Sequence, residues 1–290
     1  MKEAILYEKR EGKKVRCHVC NHGCLINEGQ RGLCAVRENI SGQLYALNYG
    51  KAIAVSLDPI EKKPLYHFLP KSLTYSFATV GCNLRCRWCQ NWQISQDHKA
   101  GLKISGESIS PKKHVENALA YQCPSISYTY TEPTIFIEYA LETMKLAKKA
   151  GLKNIWVTNG YMSEETLKLI LPYLDAANID FKAATTAKYQ KYCGAKLEPI
   201  LKNMQTMHQK GVHLEVTSLI VPRINSERKD LEFMVNFIVK KLDPAVPWHI
   251  SRFFPNWQMK DVSATPLETL EKARQIGQKA GLKHIYIGNV

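Results

Sequence analysis

The sequence predicts an α/β protein built on a largely parallel sheet, preceded by a small cysteine-rich appendage. Three observations carry this. From about residue 71 onward, β-branched and aromatic runs alternate with amphipathic segments of helix length, the pattern of repeated βα units. The punctuation between them recurs as Ala150-Gly151-Leu152-Lys153, Lys210-Gly211-Val212-His213 and Ala280-Gly281-Leu282-Lys283, where glycine suits the left-handed position that closes a helix before the next strand. Residues 1–70 break the pattern, with four cysteines set among Gly23, Gly29 and Gly32.

In chain order, the appendage comes first. Cys17, Cys20, Cys24 and Cys34 form C-x2-C-x3-C-x9-C, without the second C-x2-C knuckle of common zinc ribbons; four thiolates so close together suit zinc or an iron-sulfur cluster equally. Short strands are expected at 44–49 and 52–57. The division is drawn at residue 70, with a catalytic core over 71–290. Its strands are expected at 75–80, 126–130, 154–157, 177–181, 213–221, 248–253 and 284–287. Helix entries are read at Ser110-Pro111 and at Thr265-Pro266-Leu267-Glu268, a capping box with proline at its first helical position. Six or seven βα units fit either a doubly wound open sheet or a partial barrel, and periodicity does not separate the two.

At 290 residues one large α/β domain with an appendage is expected. The first ten residues lack an apolar signal region, and no stretch is apolar for the ~18 residues a membrane span needs. A cytoplasmic protein with no membrane association is therefore expected. Nine cysteines in clustered spacings without a secretory signal favour metal binding in a reducing compartment. The formal charge of +14, from 40 basic and 26 acidic residues, is mostly a solvated face. It would also suit an acidic electron donor such as a flavodoxin or ferredoxin, an acidic protein substrate, or RNA. Arg-rich or aromatic-interleaved nucleic-acid motifs are not evident, which disfavours nucleic acid.

The sharpest feature follows the first core strand: Gly81-Cys82-Asn83-Leu84-Arg85-Cys86-Arg87-Trp88-Cys89-Gln90-Asn91. Iron-sulfur clusters are normally held by cysteine thiolates, and a four-iron cluster given only Cys82, Cys86 and Cys89 keeps one iron open to an outside ligand. A structural zinc site wants a fourth ligand, and a C-x2-C redox pair has no need of Cys82. C-x3-C-x-aromatic-C, with Trp88 before the last cysteine, resembles the signature of the radical S-adenosylmethionine (SAM) superfamily. The resemblance implies a 4Fe-4S cluster whose unique iron binds SAM, reductive cleavage of SAM to a 5'-deoxyadenosyl radical, and a partial (β/α)6 TIM-like barrel with catalytic groups at the C-terminal strand ends.

The likeness extends further. Cys89-Gln90-Asn91 resembles the end of the cluster loop in pyruvate formate-lyase activating enzyme. Tyr130-Thr131-Glu132-Pro133 stands where that family has Gly-Gly-Glu-Pro, implying that Glu132 helps hold the SAM amino group. Thr158-Asn159-Gly160 and Asp180-Phe181-Lys182 are similar to its Thr-Asn-Gly and Asp-x-Lys, which places Asn159, Asp180 and Lys182 over SAM or substrate. Taken alone, Asn159-Gly160 is an ordinary turn and Asp180/Lys182 an exposed i, i+2 pair; their shared place at strand ends groups them. The ensemble, with the N-terminal cysteines and Asp58-Pro59-Ile60-Glu61-Lys62-Lys63-Pro64-Leu65, most resembles the AmmeMemoRadiSam-system radical SAM enzymes. It implies AMMECR1-like and Memo-like proteins as associates and, in many members, a further cysteine-rich tail beyond the position of residues 287–290. The expected activity is hydrogen abstraction from an unidentified substrate. Glycyl radical activation, RNA modification and a non-catalytic iron-sulfur electron carrier are the alternatives. Cys193 and Cys123 read as buried structural cysteines, with a substrate-side hydrogen donor as the other option for Cys193; His249 reads as a hydrogen-bonded core residue, and Arg252 as able to clamp an anion.

Overall fold

The computed structural model describes residues 1–96 and 104–290. Short runs of aromatic and β-branched residues become the strands of one eight-stranded sheet, several of them buried on both faces. Leu73–Ala78 is buried at every residue after the first, and Ser125–Tyr128 throughout, as expected where helices cover both sides of parallel strands. The strands are β1 (Ala54–Pro59), β2 (Leu73–Ala78), β3 (Ser125–Tyr128), β4 (Lys153–Thr158), β5 (Ala176–Asp180), β6 (His213–Ile220), β7 (Trp248–Arg252) and β8 (Ile285–Gly288). Their spatial order is sequential, with β1 at one edge and β8 at the other, and these two edges are not paired to each other. All of β2 to β8 run parallel. β1 alone is antiparallel, against β2 from Ala54 opposite Ala78 to Pro59 opposite Leu73.

All seven parallel strands lie within two residues of their predicted bounds, and Gly151, Gly211 and Gly281 take φ of +79°, +77° and +94°, as the helix-closing positions require. Ser110 caps Pro111–Ala120 by accepting from the Lys113 amide. The capping box at Thr265 does not form. Helix Leu267–Lys279 begins after Pro266 with no side-chain cap, because the Thr265 hydroxyl donates instead to the Ile220 carbonyl at the end of β6. The strand expected at 52–57 lies mainly within β1, so the chain enters the large sheet well before residue 70. The packed interior holds Trp156, Trp248, Tyr128, Tyr139, Phe77 and Phe136, all fully buried, each contributing a few kcal/mol of apolar burial.

Ahead of the sheet, two small antiparallel sheets form: Lys2–Glu3 with Gln43–Ala46 and Arg37–Ile40, and Tyr7–Arg10 with Lys14–Cys17 and Leu25–Ile26. They dock on the core through a bidentate buried ion pair between Arg37 and Glu138 at 2.6 and 2.9 Å. Glu138 also accepts the Ile5 amide. A second seam joins Val19–Asn21 to the loop after β4: the Ser163 amide and Thr166 hydroxyl donate to the Val19 carbonyl, and the Asn21 amide to that of Tyr161.

Candidate active site

The chain leaves β2 through Thr79-Val80-Gly81 into the cysteine loop, which is pinned on several sides. Gly81 donates to the Ile94 carbonyl, and the amides of Arg85 and Arg87 donate to the carbonyls of Cys193 and Tyr192. The Leu84 amide points to Cys82 Sγ at 3.3 Å, and Cys89 Sγ lies 3.2 Å from Ser95 Oγ. A hydrogen bond with the Cys193 thiol, followed by burial, pushes the Cys86 thiol well above its ordinary value.

Beside this loop is a cavity of about 350 Å³ lined by Cys82, Cys86, Trp88, Cys89, Glu132, Asn159, Asp180 and Lys182. The volume falls in the range of small-molecule sites. Six successive parallel strands contribute to its wall, from the loop after β2 to Ser251 on β7. Every residue named from sequence for the SAM site therefore faces one space at the C-terminal strand ends.

Glu132 is almost fully buried, and its carboxylate is heavily engaged. Oε1 accepts the Thr134 amide and hydroxyl and the Thr158 hydroxyl, and Oε2 accepts the Asn159 amide at 2.8 Å. Burial pushes its carboxyl up against these donors. The Asn159 side chain in turn donates to Asn83 Oδ1 at 2.8 Å and reaches Cys82 Sγ at 3.7 Å, while its Oδ1 accepts the Tyr161 amide. Gly160 completes the turn at φ +71°, where an added Cβ would lie 3.1 Å from Ile179. Lys182 donates to Asp180 at 2.7 Å. Burial opposes its charge, but Asp180 and the sulfurs of Cys86 and Cys193 outweigh it and raise the ammonium well above its ordinary value.

Sequence reasoning missed several participants. Lys63 is buried and bonds Asp58 at 2.7 Å; its ammonium sits 4.2 Å over the Tyr130 ring, and the Tyr130 hydroxyl also donates to Asp58. Tyr130 holds this position at φ +62°. Asn83 joins the loop to both neighbours, taking the Asn159 bond on its side chain and a 2.8 Å bond from His22 Nε2 on its carbonyl. The Asp58–Lys63 run was visible as a motif; Asn83 and His22 carried no signal.

Cys17, Cys20, Cys24 and Cys34 do not reach this cavity. They line a second, small one with Val19, His22, Ile26, Leu33, Arg37 and Ile135. Among the described residues no group of three or more His, Cys, Asp or Glu side chains defines a metal site by geometry alone. The chemistry of the donors in the large cavity nevertheless fits a cluster with SAM: three thiols beside a carboxylate and an ammonium, and nearby an Asn83 amide nitrogen that is buried with no partner among the described residues.

The radical SAM superfamily model matches residues 77–238, more than half of the chain, from the end of β2 through most of the helix after β6. The chain belongs to the radical SAM superfamily. Its members are enzymes, and so is this chain. This radical SAM protein is 48% identical over 290 residues to the uncharacterized protein MJ0808 of Methanocaldococcus jannaschii, covering 100% of this chain and 86% of that one. Among solved structures it is similar to a domain of pyruvate-formate lyase-activating enzyme from Bacteroides vulgatus, with a TM-score of 0.51, 17% identity, and 57% of this chain and 99% of that chain covered. It is also similar to a radical SAM methyltransferase from Sphaerobacter thermophilus, with a TM-score of 0.58, 11% identity, and 76% and 67% covered. At such identities these two likenesses concern the fold. Among the described residues, no helix is long and apolar enough to cross a membrane.

Proposed function

We propose that this enzyme holds a 4Fe-4S cluster on Cys82, Cys86 and Cys89, binds SAM beside it, and abstracts hydrogen from a substrate still to be identified. The observation that carries the reading is the convergence of these thiols with Glu132, Asn159, Asp180 and Lys182 on one cavity. Cluster and SAM together supply one-electron cleavage of SAM to methionine and a 5'-deoxyadenosyl radical. The protein's residues bind, orient and exclude water. Among the described residues Glu132 Oε2 accepts one donor and keeps acceptor capacity for an amino group; Lys182 offers an ammonium to a carboxylate. Trp88, Val157 and Leu219 supply apolar wall. Six strands bordering the cavity support a partial (β/α)6 barrel, with β8 as an addition outside it.

The second reading, glycyl radical activation, is favoured by the Asp180 and Lys182 placement and by the fold likeness to an activating enzyme. Both readings call for a flavodoxin or ferredoxin as reductant and leave room for AMMECR1-like and Memo-like partners. The clustered cysteine spacings support a reducing, cytoplasmic setting. We further read residues 1–70 as carrying a second metal centre on Cys17, Cys20, Cys24 and Cys34, of zinc or of iron and sulfur.

The test is anaerobic reconstitution with iron and sulfide, followed by dithionite and SAM. The expected product is 5'-deoxyadenosine. A reconstituted protein with an intact cluster that forms none is an electron carrier, and wild-type-like product from Cys86→Ala would overturn the ligand assignment.

A further inference from the structure

Cys17, Cys20, Cys24 and Cys34 line a space quite unlike the SAM cavity. It measures about 10 Å³, roughly one water-sized sphere, and its remaining wall is largely apolar, from Val19, Ile26, Leu33 and Ile135. A space of this size has room for a single ion and not for a cubane of four irons and four sulfides.

One further observation points to a missing acceptor there. Arg37, only 2% exposed, also lines this space. Its two terminal nitrogens are taken by Glu138, but Nε is a buried donor with no partner among the described residues. An unmet buried donor costs about 1–3 kcal/mol. A metal-bound thiolate is the acceptor this position lacks.

We propose that Cys17, Cys20, Cys24 and Cys34 hold one tetrahedral zinc ion, and that Arg37 Nε–H donates to a ligand sulfur. The Arg37 guanidinium then binds the metal centre on one side and Glu138 of the core on the other, so that loading the metal fastens the N-terminal unit onto the sheet. This rests on reading the quartet as a metal centre and is independent of the SAM chemistry. Zinc satisfies the geometry because a four-thiolate structural site is closed and has no open position.

The test uses the full chain carrying Cys82→Ala, Cys86→Ala and Cys89→Ala together, which leaves the quartet as the only cysteine cluster. Elemental analysis should find one zinc and no iron per chain. Replacement of zinc by cobalt should give the visible absorption of a tetrahedral tetrathiolate. Arg37→Lys, which keeps the charge but loses the planar Nε donor, should weaken zinc affinity by about 10–100-fold in competition with a chromophoric chelator. About four irons per chain with sulfide charge-transfer absorption would overturn zinc in favour of a second cluster. No metal, with four freely alkylated thiols or two disulfides, would overturn the site altogether. Should the triple variant not fold, reconstituted wild type is analysed instead. One zinc beside about four irons supports the proposal, and about eight irons without zinc rejects it. Loss of zinc with 5'-deoxyadenosine formation intact would count against this site alone; the reverse would count against the SAM reading alone.

Discussion

The two cysteine clusters use the same side chain for opposite ends. Cys82, Cys86 and Cys89 border about 350 Å³ of cavity with a carboxylate, an ammonium and side-chain amides around it, whereas Cys17, Cys20, Cys24 and Cys34 close on about 10 Å³ with mostly apolar neighbours. Sulfur count alone therefore does not assign a role; the space left beside the sulfurs does. On the proposed reading, three thiols beside a polar cavity leave a coordination position for chemistry, and four thiols in a tight apolar niche leave none. The clusters are also joined, since His22, two residues beyond Cys20, bonds the carbonyl of Asn83, the neighbour of Cys82.

The largest expected effect separates them by function. Cys86→Ala should reduce 5'-deoxyadenosine formation to background while leaving zinc content unchanged, and a matching loss of zinc would show that the two clusters are not independent. Next comes Arg37→Met, which leaves Glu138 buried and unpaired. It should destabilise the docked N-terminal unit by about 3–5 kcal/mol, read as faster amide exchange in residues 1–50 than in the sheet. Uniform loosening of both would break the distinction between regions.

At the SAM cavity, the corresponding ion pair responds to acid. Burial raises the Asp58 carboxyl, but bonds from Lys63 and Tyr130 outweigh it and hold it at about 2, below its ordinary 3.8. The unfolded chain thus takes up the proton first as pH falls. The stabilisation is complete above about pH 4 and disappears as pH drops through about 2, an effect on the order of 2 kcal/mol. Asp58→Asn should flatten the stability curve of the metal-free chain in that window; an unchanged slope would remove Asp58 from the account. The smallest effect belongs to Asn159→Ala. It deletes the bonds to Asn83 and Tyr161 but keeps the backbone donor to Glu132, and should weaken SAM binding by roughly 1 kcal/mol with zinc content unaffected.

What the sequence revealed follows from range. The strands were legible because runs such as 74–80 and 213–221 carry their signal within a few residues, and the cysteine loop because its three cysteines lie within eight residues. β1 was assigned to the wrong side of the division because an alternating stretch does not say which strand it will pair. The Thr265 cap failed for a similar reason, its hydroxyl being claimed by Ile220 from 45 residues away. Glu132, Asn159, Asp180 and Lys182 were named only through their resemblance to family motifs. Asn83 stayed invisible because its role depends on Asn159, 76 residues on, and neither asparagine leaves a periodic trace.

The seam between Val19–Asn21 and the loop at Tyr161–Ser163 also orders events on the ribosome. The quartet is translated well before its docking surface, which follows roughly 130 residues later, a delay of about six to twenty-six seconds at ordinary elongation rates. During that interval the nascent N-terminal unit has its thiols but not the core that will cover them. Zinc taken up at that stage would shield them from oxidation until the rest of the chain arrives.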